Sequence, residues 1–230
     1  MWVTSPHVEP GVRDGLAYVL LRPAGRAAGG VVTLHGADSR KENHLDFAEA
    51  CVAAGLAVVA FDQRGHGASA GALDGRAVAD VAAIAALLPP GPVALRGSSM
   101  GGWLALAAAA LVDAAAVVAI CPAGGDALRR GLAEGRFDFR ADPASLEPLL
   151  AQVDLPAAAA ALGERLLLLH AEGDEAVPVA HSRALHAAAP GSRLVAVPGG
   201  HHRSVQHDPD LQALSVAFLA DRLGAAPAAA

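Results

Sequence analysis

Short runs of apolar and β-branched residues alternate along this chain with longer stretches of helical periodicity. The runs Gly30 to Leu34, Leu56 to Phe61, Val93 to Leu95, Ala115 to Ile120, Arg165 to His170 and Arg193 to Val197 read as strands. Between and after them, Leu45 to Ala54, Asp74 to Leu88, Met100 to Leu111, Val179 to Ala189 and Pro209 to Leu223 carry helical spacing. Strands that are apolar on both faces have to be covered on both faces, and strands joined through helices run parallel. The expected architecture is therefore α/β, with a mostly parallel central sheet and helices on both sides. An early strand at Leu16 to Leu21, with a partner near Val3, precedes this alternation.

At 230 residues the chain suits one domain, over 1–223, and the small-residue stretch 224–230 lacks periodicity and reads as a frayed tail. Net charge is −6, Lys41 is the sole lysine, and the arginines are scattered, so no basic face for nucleic acid is visible. The longest apolar passage, Trp103 to Ile120, changes from alanine-rich to β-branched around Asp113. That is a buried helix followed by a buried strand, where a membrane span needs ~20 predominantly apolar residues. Residues 1–14 carry no secretory pattern, and the two cysteines, Cys51 and Cys121, are too few for a disulfide framework. The expectation is a cytoplasmic protein without nucleic-acid or membrane partners; its oligomeric state is not legible.

Gly97-Ser98-Ser99-Met100-Gly101 fits G-x-S-x-G between an expected strand and an expected helix. In that context Ser99 sits on a sharp strand-to-helix turn, with glycines removing the side chains that would collide. The following helix N-terminus favours developing negative charge, and the Met100 amide is the first candidate oxyanion donor.

Three segments carry a family resemblance: Leu34-His35-Gly36, Phe61-Asp62-Gln63-Arg64-Gly65-His66-Gly67-Ala68-Ser69, and Gly97 to Gly102. With them the chain resembles the α/β-hydrolase superfamily over nearly its full length, in the branch of esterases, monoglyceride-lipase-like enzymes and serine peptidases. The resemblance implies an α/β-hydrolase fold with a second oxyanion donor at the Ala37 amide. His35, Asp62, Arg64 and His66 read as braces for the loops that carry these motifs. Dehalogenase and epoxide-hydrolase relatives would need aspartate where Ser99 stands.

A serine hydroxyl needs a base, and the base needs an orienting acid. The resemblance places the acid at Asp174, in Gly173-Asp174-Glu175-Ala176-Val177-Pro178, with Asp126 as the rival position. It places the base in Gly199-Gly200-His201-His202, at His202, with His201 as the alternative. His201, His202, His207 and Asp208 have no compact metal-ligand spacing, and Asp208-Pro209 fits a helix start, so neither metal nor cofactor is expected. Residues 122–163 are too long for a simple connection and read as a small, mostly helical cap over a pocket. Trp103 fits either the core or the floor of that pocket. The function expected from the resemblance is hydrolysis of small to medium carboxylic esters through an acyl-enzyme on Ser99. Thioesterase or peptidase activity would use the same residues, and a non-catalytic binding protein on this scaffold is the alternative of another kind.

Overall fold

The computed structural model describes residues 7–225. Its strands are β1 (His7–Arg13), β2 (Leu16–Arg22), β3 (Gly30–Leu34), β4 (Ala57–Phe61), β5 (Val93–Ser98), β6 (Ala116–Ile120), β7 (Leu166–Ala171) and β8 (Arg193–Val197). Its α-helices are α1 (Leu45–Ala53), α2 (Ala77–Ala85), α3 (Met100–Ala108), α4 (Gly125–Ala133), α5 (Pro143–Gln152), α6 (Leu155–Leu162), α7 (Val179–Ala188) and α8 (Pro209–Leu223). One sheet holds the strands in the order β1-β2-β4-β3-β5-β6-β7-β8. β2 is antiparallel to both β1 and β4, and the pairs from β3 to β8 are parallel. This is the α/β-hydrolase fold.

The period of two along each strand divides the core between the two faces. In β7, Leu166 and Leu168 join the cluster under α2, α3 and α4 to α6, while Leu167 and Leu169 join the cluster under α1 and α8. Each such fully buried leucine contributes about 1.5–3 kcal/mol of transfer free energy. Helix α3 is buried almost all round, from Met100 through Leu106, which explains its lack of a polar stripe. Among the described residues no helix is long and apolar enough to cross a membrane.

One expectation shifts at the N-terminus. A partner near Val3 lies outside the described residues, and the strand that pairs with β2 is β1. Asp14 and Gly15, at φ 52° and 81°, make the two-residue turn that joins them. The other end of the chain is closed by Gly224 in the left-handed conformation, and residues 226–230 of the expected tail lie outside the described residues.

Between β6 and β7 the chain forms α4, α5 and α6. Asp142 and Asp154 cap the last two by accepting the amides of Ser145 and Ala157, at 3.2 and 2.9 Å. Leu128, Leu146, Leu150, Leu155 and Leu162 from this segment pack into the main core, so the three helices stand on the sheet domain.

Candidate active site

β5 runs through Ser98, directly up to Ser99, and α3 begins at Met100. Ser99 takes φ 54° and ψ −118°, a conformation that L-residues rarely adopt. Its amide donates to the Ile120 carbonyl at 2.8 Å, and its carbonyl accepts the amides of Trp103 and Ala123, both at 3.0 Å. The turn closes only around glycine: a Cβ on Gly97 would lie 2.0 Å from the Gly101 carbonyl oxygen, and one on Gly101 2.1 Å from that of Leu34. The Met100 and Ala37 amides donate to no acceptor among the described residues. Ala37 follows β3, and the α3 N-terminus adds its dipole at Met100.

Asp174 leaves the end of β7 with its carboxylate fully buried. One oxygen, Oδ1, accepts the amides of Ala176 and Val177 at 2.9 and 2.8 Å. The other, Oδ2, lies 2.7 Å from His202 Nδ1. Burial alone would raise the acid, but the Val177 amide and His202 outweigh it and hold Asp174 below the ordinary carboxylate value. Since an ionised carboxylate can only accept, His202 Nδ1 carries the proton, and in a neutral ring Nε2 is then unprotonated. The two loops touch through backbone, with the Gly173 amide donating to the Gly199 carbonyl at 2.9 Å. A Cβ on Gly173 would come within 2.5 Å of the Gly200 carbonyl oxygen, so the loops meet at this distance only with glycine there.

The rival positions are elsewhere. Asp126 is exposed in the first turn of α4 and paired with Arg129 at 3.2 Å. His201 is exposed, its Nδ1 accepting the Arg203 amide. His207 pairs with Asp46 at 3.1 Å, and Asp208 caps α8 by accepting the amides of Asp210 and Leu211.

Buried polar groups hold the surrounding loops. The Gln63 amide donates to His35 Nε2 at 2.9 Å, so Nδ1 is the protonated nitrogen and donates to the Gly36 carbonyl at 2.8 Å. Burial, reinforced by His66, lowers the His35 pKa to about 4. Asp62, fully buried, accepts from the Lys41 amide and ammonium and from the Ala68 amide. Arg64 grips Asp80 through two bonds of 2.7 and 2.8 Å, and His66 stacks on Phe139. His170 donates from Nε2 to the Val177 carbonyl at 2.8 Å and accepts the Ser182 hydroxyl at Nδ1, which keeps a neutral ring 3.4 Å from Asp174.

Several supporting residues have no motif to mark them. Ser98 donates to Gln206 Oε1 at 2.7 Å, and Arg96, stacked on Phe47, donates to the Gln206 carbonyl at 3.1 Å. These bonds tie the strand before Ser99 to the loop that carries His202. The only sequence hint is the doubled serine of Gly97-Ser98-Ser99. Cys121 is a second such residue: its sulfur, an Asp174 oxygen and a His202 nitrogen lie within 4.8 Å of one another. That trio is a poor metal site, because Asp174 and His202 are already bonded to each other. Burial also pushes the Cys121 thiol up to about 12.

Ser99, Ala37, Gly36, His202 and Phe137 line one cleft of about 400 Å³. The Ser99 hydroxyl makes no hydrogen bond among the described residues; serine–imidazole contacts commonly tighten only in the substrate complex.

A parallel-centred sheet that presents serine on a left-handed strand-to-helix turn, beside a carboxylate–imidazole pair, defines the α/β-hydrolase class. Two family models match the chain: serine aminopeptidase, S33, over residues 25–135, and TAP-like protein over residues 148–228. The chain belongs to the α/β-hydrolase superfamily and, within it, to the serine hydrolases. Solved structures with the same fold include Est1E from Butyrivibrio proteoclasticus with ferulic acid bound, at 19% identity and a TM-score of 0.72 over 94% of this chain and 98% of that one. The monoacylglycerol lipase of Paleococcus ferrophilus is 20% identical, with a TM-score of 0.68 over 90% and 99%. Mouse alpha/beta hydrolase domain-containing protein 10 is 21% identical, with a TM-score of 0.66 over 95% and 98%. Comparison with curated proteins gives no match.

Proposed function

We propose that this protein hydrolyses carboxylic esters of small to medium acyl groups, with Ser99 as nucleophile, His202 as base and Asp174 as the acid that orients it. The observation that carries this reading is the 2.7 Å bond between His202 Nδ1 and Asp174 Oδ2, in a cleft shared by His202 and Ser99. Asp174 fixes the tautomer that leaves Nε2 free to take the Ser99 proton. The Ser99 oxygen then bonds to the acyl carbon, and the Ala37 and Met100 amides receive the charge that moves onto the carbonyl oxygen. Collapse expels the alcohol, which takes the proton from the imidazolium. Water, deprotonated by His202, attacks the acyl carbon and releases the acid and the Ser99 hydroxyl. Each amide donor of this kind is worth a factor of about 10²–10³ in turnover.

We take residues 122–163 as a cap: the loop between α4 and α5 supplies Arg136 and Phe137 to one wall of the cleft. Ferulic acid bound to Est1E and the lipase relative both accord with an acyl substrate. Peptide hydrolysis is the second reading, favoured by the serine aminopeptidase match over residues 25–135.

The test is a p-nitrophenyl ester assay beside fluorophosphonate labelling. Ser99→Ala is expected to stay folded, to lose labelling and to lose turnover by about 10⁴-fold or more. His202→Ala is expected to lose comparable activity, and His201→Ala to keep most of it. Undiminished turnover in Ser99→Ala rules the reading out, and aminopeptidase substrates turned over faster than esters move it to the second one.

A further inference from the structure

We infer that Gln206 is a positioning residue for the reaction: it fixes the distance at which His202 is presented to Ser99. The inference rests on the ester hydrolysis proposed at those two residues and adds a residue that acts through them.

Ser99 follows β5, whereas His202 lies in the loop between β8 and α8. In the sheet β6 and β7 stand between β5 and β8, so no strand pairing sets one group against the other. Asp174 holds the imidazole from the β7 side, through the 2.7 Å bond to Nδ1. One bond turns the ring but leaves its loop free to pivot about it.

Gln206, further along the same loop, supplies the second hold. Its side chain crosses to β5, where Ser98 Oγ donates to Gln206 Oε1 at 2.7 Å. Gln206 Nε2 donates to the Asn43 carbonyl at 3.0 Å, and because a carbonyl can only accept, the amide has one orientation. The other hydrogen of that nitrogen goes to His207 Nε2 at 3.1 Å. His207 Nδ1 faces the Asp46 carboxylate, so in the neutral ring Nε2 is the acceptor. The backbone carbonyl of Gln206 accepts from Arg96 Nη2, on β5, and from Gln212 Nε2, on α8, each at 3.1 Å. Beside it Val205, 2% exposed, seats the loop in the core under α1 and α8.

Arg96 makes this anchor firm. Its guanidinium is buried and stacked 3.8 Å over the Phe47 ring. Its hydrogen-bond partners among the described residues are the Gln206 carbonyl and His44 Nδ1, with no carboxylate between them. A buried cation without an anion depends on the dipoles around it, and bonds to a charged donor are about twice as strong as neutral ones. Drawing the loop away from β5 would strip such a bond from Arg96.

Gln206 also lines the cleft with Ser99 and His202. Its side-chain oxygen accepts from Ser98 and both amide hydrogens are donated, so the side chain has no hydrogen left for a substrate. Its effect on the reaction therefore passes through the placement of His202 and Ser99. Proton transfer needs those two groups at about 3 Å, and a misplacement of about 1 Å costs about 10²-fold.

The experiment compares Gln206→Met, which keeps the length and removes the polar atoms, with Ser98→Ala and with the double variant. Hydrolysis of p-nitrophenyl butanoate is divided by the number of sites that a fluorophosphonate labels at saturation, so unfolded protein drops out of the rate. Gln206→Met is expected to lower kcat per labelled site by about 30-fold or more, with KM within about threefold of wild type. Ser98→Ala is expected to lower it by about three- to tenfold, and the double variant to be no slower than Gln206→Met, because a hydroxyl without its acceptor adds nothing. The rate of labelling, which needs the same attack by Ser99 and no ester, should fall in parallel.

A kcat per labelled site within about twofold of wild type in both single variants overturns the inference and leaves the ester-hydrolase reading standing. A loss confined to KM overturns it as well, since that marks a substrate contact, and so do losses that multiply in the double variant. If Gln206→Met does not fold by circular dichroism, Ser98→Ala decides on the same readouts. If the wild-type protein labels without turning over the ester, the labelling rates of the variants decide. Absence of both labelling and turnover in the wild-type protein overturns the function on which the inference rests.

Discussion

Acidification tests the buried histidines, and His35 gives the sharpest case. In the unfolded chain its imidazole takes up a proton at about the ordinary value of 6.5, whereas in the fold burial holds that step down to about 4. Between these pH values the unfolded chain binds a proton that the fold refuses, so stability falls as pH falls through the window. At 1.36 kcal/mol per pH unit, the His35 share of the loss at pH 4 is about 3 kcal/mol, a large part of the 5–15 kcal/mol typical of a domain. His44 and His170 are lowered chiefly by burial and add in the same direction. Asp62 and Asp174 are held below their ordinary 3.8, so their stabilisation is lost only in stronger acid and does not blur the window. The measurement is urea unfolding from pH 7 to 4.5, in the wild-type protein and in His35→Gln, whose side-chain oxygen can still accept the Gln63 amide. The variant is expected to lose absolute stability. Its dependence on pH near 5 should also be shallower by about 1.4 kcal/mol per pH unit, one proton's worth. Equal slopes in the two proteins would refute the argument, and so would a wild-type stability that stays flat down to pH 4.5.

Two further predictions follow from the site. Asp174→Asn keeps an oxygen for the Ala176 and Val177 amides but turns an NH₂ toward His202, which favours the wrong tautomer; kcat is expected to fall by about 10³–10⁴-fold with the fold retained, read by ester assay and circular dichroism. Gly101→Ala would drive a Cβ to within 2.1 Å of the Leu34 carbonyl oxygen and 2.6 Å of that of His35, both backbone atoms. It should therefore cost about 3 kcal/mol or more in denaturant unfolding, while Gly25→Ala, with nothing within 4 Å, should change stability by less than about 0.5 kcal/mol.

What could be read from the sequence was what local chemistry determines. β8 and α8 have the expected bounds, the latter because Asp208 and Pro209 are a cap and a first helical residue in succession. Helix α2 is shorter than its apolar pattern, since the preceding residues form a turn in which Asp74 Oδ1 accepts the Arg76 amide. β1 was hidden because Pro10 and Gly11 interrupt its alternation. Its strand character depends on register, Gly11 lying opposite Tyr18, whose ring occupies the space a side chain would fill. The cleft was legible only as a set of candidates. No periodicity reveals that Gln206 reaches back to Ser98, 108 positions earlier, or that Cys121 and Asp174 meet at the ends of neighbouring strands. Gln63 shows the same limit, because its place inside a fold motif gives no sign that its side-chain oxygen is buried without a partner among the described residues.

The conformation of Ser99 links fold and chemistry. A non-glycine residue at φ 54° and ψ −118° costs of order 1–3 kcal/mol and persists only where its surroundings over-determine it. Here they do so through the backbone alone: Ile120 takes the amide, and Trp103 and Ala123 occupy the carbonyl. Strand β6, helix α3 and the loop after β6 each supply one of those partners, so the bend is held by three elements that the core packs independently. With both backbone groups committed, the side-chain oxygen is the one polar group of Ser99 without a hydrogen bond among the described residues, and it faces the cleft that His202 also lines. A serine placed in that cleft by an ordinary turn would be free to satisfy its hydroxyl on its own backbone, as serines in turns commonly do. The left-handed bend, held in place by the sheet, leaves the hydroxyl free for the nucleophilic role proposed for it.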